Sequence, residues 1–210
     1  MRPGARGAYL TDLDGVLVDS DASARRGWRA WCKGHQLPYE PFAALHGFSA
    51  EEKIRRLAAH LDPAVEAEKI TAFEIRDTEG VTAFPGAAAL LARPGPLAVV
   101  TSARVALAQA RLRAAGLVVP SVIVGGDTVE ETKPNPEPYL LAAHRLQVEG
   151  RECVVFEDAP SGIVSAKLAG AFVVGLRTTY QDDDAILGGA DLVVDDIAAY
   201  LALLDEEARG

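Results

Sequence analysis

Short, nearly uninterrupted apolar runs alternate with helical patterns along most of the 210 residues. The runs are rich in valine and lack the polar alternation of a sheet with one wet face, so they predict buried parallel strands. The predicted strands are 8–10, 97–100, 122–124, 153–156, 172–176 and 192–194. Helical segments between them are predicted over 104–115, 137–146 and 161–168. This alternation predicts an α/β fold with a doubly wound, mainly parallel sheet covered on both faces.

Residues 21–83 interrupt the alternation, because they contain helical patterns and no convincing strand. Three helices are predicted there, over 21–35, from Ser49 onward, and over 64–78. Ser49 with Glu52 three residues later is the pattern of a capping box. The pair Pro85-Gly86 then marks the return to alternating strands and helices. We therefore expect a core of residues 1–20 and 84–210, with an all-helical domain of residues 21–83 inserted after the first strand.

Composition and charge narrow the function classes. The formal charge of −9 argues against nucleic acid or an anionic membrane as the main partner, although a local pocket can still bind a phosphorylated small molecule. No apolar run approaches the roughly 18 residues of a membrane span. Cys32 and Cys153 lie far apart without CxxC spacing and are interpreted as core residues. The simplest expectation is a cytoplasmic monomer.

Polar residues follow four of the predicted strands, at the ends where parallel sheets bind ligands. They are Asp12 and Asp14 after the first strand, Thr101 and Ser102 after the second, Lys133 after the third, and Glu157 and Asp158 after the fourth. Taken singly, each could be a turn former, a helix cap or a solvated charge. It is improbable that all four sets are of this kind.

The acidic residues could together bind a metal ion and transfer a phosphoryl group. Asp12, Asp158 and a backbone carbonyl offer the hard oxygen ligands that suit Mg²⁺, which keeps several waters and a substrate phosphate. Asp14 would contribute that carbonyl, and Glu157 is a further metal candidate, directly or through a neighbour. Asp12 is predicted to attack phosphorus and form an aspartyl phosphate. Asp14, two residues on and facing the same way, is predicted to act as general acid and then as base.

The remaining strand-end residues complete a phosphate site. Thr101 and Ser102 are predicted to hydrogen-bond phosphoryl oxygens, and Ala103, next along the same turn, is assigned to substrate binding. Lys133 would balance the negative charge of the phosphate and the carboxylates.

These motifs, together with residues 132–139 (TKPNPEPY) and 154–175, resemble the haloacid dehalogenase-like hydrolase superfamily over nearly the whole chain, and its sugar and polyol phosphate phosphatases in particular. The resemblance implies a Rossmann-like core, a Mg²⁺ cofactor, a helical cap over the site and a small phosphorylated sugar or polyol as substrate.

Three other functions are compatible with this fold and are weighed against the same residues. A dehalogenase does not need Asp14, since a leaving halide takes no proton. A β-phosphoglucomutase would carry a histidine and an arginine in its cap, and Ala24 and Ala50 stand at those positions. A non-catalytic phosphometabolite-binding protein on the same fold would be expected to have lost Asp12 or Asp14, and both are present.

The cap is expected to choose the substrate, because it would cover the leaving group. The candidates are His46, Gly47, Lys53 and Lys69. The resembling phosphatases have a similar His-Gly pair in the substrate loop of the cap, which favours His46 and Gly47. Lys53 and Lys69 lie on helices where lysines are commonly solvated, and of the two we assign Lys69 to substrate binding.

Overall fold

Eight strands and nine α-helices make up the part of the chain that this computed structural model describes, residues 7–45, 47–180 and 189–209. The strands are β1 (Ala8–Thr11), β2 (Val18–Asp19), β3 (Thr82–Ala83), β4 (Leu97–Val100), β5 (Val122–Val124), β6 (Cys153–Glu157), β7 (Phe172–Leu176) and β8 (Leu192–Val194). The helices are α1 (Asp21–Gly34), α2 (Glu40–Ala43), α3 (Ala50–Leu57), α4 (Pro63–Arg76), α5 (Ala87–Leu91), α6 (Val105–Ala114), α7 (Glu137–Arg145), α8 (Pro160–Leu168) and α9 (Ile197–Glu207). Within these ranges, no helix combines the length and apolar character needed to cross a bilayer.

Six parallel strands form the central sheet, in the order β5-β4-β1-β6-β7-β8. β1 lies between β4 and β6, and its Thr11 pairs with Val99 on one side and Phe156 on the other. The chain runs outward from β1 to β5 and then returns to the other side of β1 with β6, so the strand order reverses beside β1. Open parallel sheets bind ligands at such a reversal, outside the carboxyl ends of the strands. The predicted doubly wound parallel sheet is confirmed.

Apolar side chains cover both faces of the sheet and hold its central strands in place. Tyr9 and Leu10 are adjacent in β1 and belong to separate clusters on opposite faces. On one face Tyr9 stacks on Phe156 at 6.0 Å between ring centroids, and Tyr200 of α9 packs edge-on against Phe156 at 4.9 Å. On the other face Leu10 shares its cluster with Tyr139 of α7. The packing on both faces therefore fixes the backbone positions of the residues at the ends of β1 and β6.

Helices α1–α4 form a separate helical unit, called the cap below, between β2 and β3. The cap has its own apolar cluster, which includes Trp28, Trp31, Phe42, Ile54 and Ile70. Trp28 stacks on Phe42, and Trp31 packs edge-on against the same ring, each at 5.4 Å between centroids. Because the cap has its own hydrophobic core, it can keep its structure independently of the sheet whose edge it covers.

The two chain crossings between cap and core are paired with each other. β2 and β3 form a two-residue antiparallel ladder in which Val18 pairs with Ala83 and Asp19 with Thr82. The prediction that residues 21–83 contain no strand is therefore wrong for β3. Two residues are too few to give a recognisable alternation along the sequence.

The cap helices follow their predicted positions closely. Ser49 accepts a hydrogen bond from the backbone N–H of Glu52 at 3.2 Å, as an N-cap should, and α3 begins at the next residue. The Glu52 carboxylate pairs with Arg56 at 2.6 Å and with Arg55, so it does not complete a capping box. Helix α2 was not predicted, because four residues do not span a helical repeat.

Candidate active site

The ends of β1, β4 and β6 bring the predicted acidic and hydroxyl residues to one edge of the sheet. Asp12 follows β1, Thr101 follows β4, Glu157 ends β6 and Asp158 comes next. Lys133 reaches the same place from the loop between β5 and α7. Apart from Asp12, whose side chain is 13% exposed, these residues are buried. Because these residues lie at the ends of neighbouring strands, the sheet brings together charged groups that are up to 146 positions apart in the chain.

Lys133 is the centre of the hydrogen bonding at this edge. Its Nζ donates to Asp12 Oδ1 at 2.8 Å, to Glu157 Oε1 at 2.6 Å and to the carbonyl of Val100 at 3.0 Å. Burial alone would lower the pKa of Lys133, but the Asp12 and Glu157 carboxylates outweigh it and raise that pKa above its ordinary value. All three ammonium protons therefore have acceptors, and the residue keeps a fixed positive charge beneath Asp12.

Both carboxylate oxygens of Glu157 are engaged by protein donors. Besides Lys133, Oε1 accepts from the hydroxyl of Tyr139 at 2.6 Å, and Oε2 accepts from the backbone N–H groups of Asp158 and Ala159 at 3.2 and 3.3 Å. A Cβ on Gly162 would lie 1.8 Å from Oε1, so only glycine fits there. Glu157 is therefore placed to hold Lys133 and the turn after β6. No local pattern in the sequence predicts this role for Tyr139.

Asp12, Glu157 and Asp158 form a compact acidic cluster. One carboxylate oxygen from each lies within 4.8 Å of the others. Burial raises the pKa of Asp12 well above its ordinary value; Lys133 opposes this, and the carboxylates of Glu157 and Asp158 add to it. Gly15, with φ of +82°, brings the turn after β1 so close that a Cβ there would lie 2.0 Å from Asp158 Oδ2. A cluster of crowded hard oxygens fits a divalent cation such as Mg²⁺.

Asp14 is held by two donors, one of them a residue that the sequence analysis missed. Its Oδ1 accepts from Ser20 Oγ at 2.7 Å, and its Oδ2 accepts from Nη1 of Arg111 on α6 at 2.7 Å. Nη2 of Arg111 also donates to Glu74 of α4 in the cap, at 3.2 Å. Arg111 falls four residues after buried Leu107, so an arginine on the apolar face of a predicted helix was an available signal.

The turn after β4 contacts the cap. Thr101 Oγ1 accepts from the N–H of Ala103 at 3.0 Å, which shapes the turn. Ser102 Oγ donates to the carbonyl of Gly47 in the cap at 2.8 Å. Thr101, Ser102, Ala103 and Gly47 all line one cavity. His46, the other predicted residue of the cap loop, lies outside the described residues.

This cavity, of about 720 Å³, lies between the cap and the sheet edge. Asp12, Asp14 and Asp158 line it from the core, and Lys53 and Glu74 line it from the cap. Its size is in the ordinary range for small-molecule sites. Asp12 and Asp158 of the acidic cluster therefore face a cavity that is partly covered by the cap and partly open to solvent.

The structure brings Lys53, and not Lys69, to the cavity. Lys69 is 61% exposed in its side chain, pairs with Glu66 at 2.7 Å and is absent from the lining. Lys53 Nζ lies 5.1 Å from the ring centroid of Trp28, and burial lowers the pKa of Lys53 to about 8. Each lysine is on an amphipathic cap helix, and only the packing of α3 and α4 decides which one turns inward.

Comparison with known proteins gives one consistent family. A sequence model described as haloacid dehalogenase-like hydrolase matches residues 7–170. Hexitol phosphatase A of Escherichia coli (strain K12) is 40% identical over 194 residues, covering 89% of this chain and 89% of that protein.

Solved structures agree on the architecture. A hydrolase from Pseudomonas syringae superposes with a TM-score of 0.81 at 26% identity, covering 96% of this chain and 98% of that one. A β-phosphoglucomutase from Clostridium difficile superposes with a TM-score of 0.79 over 100% of this chain and 99% of its own. At 22% identity, the second likeness is one of fold alone.

Proposed function

The chain belongs to the haloacid dehalogenase-like hydrolases, and from this premise we propose that it is a Mg²⁺-dependent phosphatase that hydrolyses a small phosphorylated sugar or polyol. The observation that carries the proposal is that Asp12 and Asp14 line one cavity above Lys133 and beside Asp158. The similarity to a hexitol phosphatase supports the substrate class.

Asp12 is the nucleophile in this proposal. Its carboxylate attacks phosphorus, the bond from phosphorus to the leaving oxygen breaks, and an aspartyl phosphate forms. Asp14 gives its proton to the leaving alkoxide and then takes a proton from the water that attacks the aspartyl phosphate. That second attack releases inorganic phosphate and restores the Asp12 carboxylate. Lys133, which donates to Asp12 Oδ1, orients the attacking carboxylate and offsets its charge.

Oxygen donors for a metal are grouped at the same place. Asp12, Asp158 and the backbone carbonyl of Asp14 would hold Mg²⁺, and Glu157 would act through Lys133 and the turn that it fixes. When bound, the ion screens the phosphate from the carboxylates and stabilises charge on the transferring group. Thr101, Ser102 and the N–H groups of their turn are placed to donate to phosphoryl oxygens.

The cap is proposed to be residues 21–83, with residues 1–20 and 84–210 as the core. It would close over the substrate by bending at the paired crossings β2 and β3, and the Ser102 contact to Gly47 would form on closure. Core residues treat all phosphate monoesters alike, so the choice among alcohols would come from cap residues that line the cavity.

A mutase is the second candidate function. Ala24 and Ala50 both line the cavity. By the motif match to the family, these are the positions at which a β-phosphoglucomutase would carry its cap histidine and arginine. Methyl groups there offer neither a proton nor a ligand for a second phosphate, which favours hydrolysis over isomerisation.

The test is a phosphate-release screen with the purified protein across sugar, polyol and nucleotide phosphates, with Mg²⁺ and with a chelator. We expect release that depends on Mg²⁺ and is greatest for sugar or polyol phosphates. Release from none of these esters, or equal release after chelation, would contradict the proposal.

A further inference from the structure

The cationic side chains that line the cavity above the acidic cluster are almost all paired with carboxylates. Among the described residues, the lining pairs are Arg25 with Asp21 at 2.6 Å, Arg104 with Glu51 at 3.1 Å, and Arg111 with Asp14 at 2.7 Å and Glu74 at 3.2 Å. Each of these arginines is thus offset by at least one carboxylate. Every guanidinium that lines the cavity in the described part of the chain therefore already has a carboxylate partner.

Lys53 is the exception among these lining cations. No carboxylate of the described residues lies within 4.0 Å of its Nζ, which instead lies 5.1 Å from the ring centroid of Trp28. Burial lowers the pKa of Lys53 to about 8, so near pH 7 the amine is still mostly protonated. Lys53 therefore offers charged hydrogen-bond donors to the cavity, and the Glu74 carboxylate in the same lining partly offsets its attraction for anions.

Glu74 lines the same cavity from the cap, and a glycine in the neighbouring helix α1 makes space for it. It is 5% exposed, and Arg111 holds its Oε2. Gly27 lies inside helix α1, where glycine is less favourable than alanine. A Cβ at Gly27 would lie 3.0 Å from Glu74 Cγ and 3.3 Å from Phe73 Cδ1, so the glycine makes room for this carboxylate.

We propose that Lys53 and Glu74 form a selector that hydrogen-bonds a hydroxyl of an uncharged, polyhydroxylated leaving group and disfavours a leaving group that carries a carboxylate or a second phosphate. The proposal rests on the proposed phosphatase function. A hydroxyl both donates and accepts, so it satisfies an ammonium and a carboxylate together. An anion in the same position would meet the Glu74 carboxylate, and like charges placed side by side repel each other.

Two substrates that differ in one group test the selector. D-glucitol 6-phosphate and 6-phosphogluconate share a six-carbon hydroxylated chain with phosphate on C6, and differ at C1 by CH₂OH against carboxylate. The wild-type protein with Mg²⁺ should have kcat/KM at least ~10-fold higher for glucitol 6-phosphate, the factor expected for one hydrogen bond to a charged group. A preference for 6-phosphogluconate would overturn the proposal.

Substitutions assign the preference to the two residues. E74Q should shrink the ratio of the two kcat/KM values, while E74D, which keeps the charge, should retain discrimination against the carboxylate. K53M should lower kcat/KM for glucitol 6-phosphate by at least ~10-fold. E68Q and K33M, on exposed positions of α4 and α1, are the matched controls and should leave the ratio unchanged.

The outcomes separate the two proposals. If the wild-type protein hydrolyses phosphate esters but neither folded E74Q nor folded K53M changes the ratio, the selector is wrong and the phosphatase stands. If E68Q or K33M changes the ratio as much, the effect is not specific to the cavity and the selector is also wrong. If the wild-type protein releases phosphate from no ester, the proposed function fails and the selector fails with it.

Discussion

Replacing Tyr139 by phenylalanine removes a single hydroxyl from beneath the candidate site. That hydroxyl donates to Glu157 Oε1 at 2.6 Å, and both residues are 1% exposed. Burial, and then the Glu157 carboxylate, raise the pKa of Tyr139 well above its ordinary value, so the phenol stays protonated and keeps donating. A buried hydrogen bond to a charged group contributes about 1.5–3 kcal/mol to stability. Because Lys133 still donates to Oε1, we expect a loss in the lower part of that range, about 1.5–2 kcal/mol.

The assay is urea unfolding followed by circular dichroism, with the midpoint and the slope m compared between variants. For a protein of this size, such a loss lowers Tm by about 3–8 °C. Y39F is the control: it removes the same atom from a tyrosine that packs against Arg29 and whose hydroxyl has no hydrogen-bond partner among the described residues. Its unfolding free energy should stay within about 0.5 kcal/mol of the wild-type value. If Y139F is as stable as the wild-type protein, or Y39F loses as much, the anchoring role of the Tyr139 hydroxyl is refuted.

Three further predictions concern the chemistry and the cap. Asp14→Asn should lower kcat about 10²–10⁴-fold while the Mg²⁺ concentration for half-maximal rate changes little, since the backbone carbonyl survives; weaker Mg²⁺ activation with an unchanged rate at saturating metal would contradict its role. With β-glucose 1-phosphate and a glucose 1,6-bisphosphate primer, we expect inorganic phosphate or no product, and glucose 6-phosphate formed faster than phosphate would favour the mutase. Burial lowers the pKa of Lys53 from 10.5 to about 8, so between these values the unfolded chain binds more protons than the native protein. Wild-type stability should therefore rise relative to K53M as pH increases through that window. Urea unfolding at about pH 7 and pH 10 measures this difference, and a difference that is independent of pH would contradict the burial of the amine.

The strands and the residues at their ends could be predicted because the signals are local. A buried parallel strand is a continuous apolar run, and four of the six sheet strands have the predicted bounds, Phe172–Leu176 among them. Polar residues directly after such runs must lie at one edge of the sheet, which places Asp12 near Asp158 without any knowledge of the packing.

The contacts that hold these residues could not be predicted, because they depend on how distant elements pack. Arg111 reaches Asp14 across 97 positions and Glu74 across 37. The choice between Lys53 and Lys69 depends on the rotation of α3 and α4 within the cap, since both helices present lysines at plausible positions. The spacing of apolar residues predicts which face of a helix is buried, but it does not predict which side chains of other elements that face contacts.

Whether Asp12 attacks phosphorus can be measured directly as the rate of phosphate release by Asp12→Asn from glucitol 6-phosphate at saturating Mg²⁺, with the fold verified by circular dichroism. An amide is a very poor nucleophile and a weaker metal ligand, so we expect a loss of kcat on the order of 10⁴-fold or more. A folded Asp12→Asn variant that releases phosphate at close to the wild-type rate would show that Asp12 is not the nucleophile.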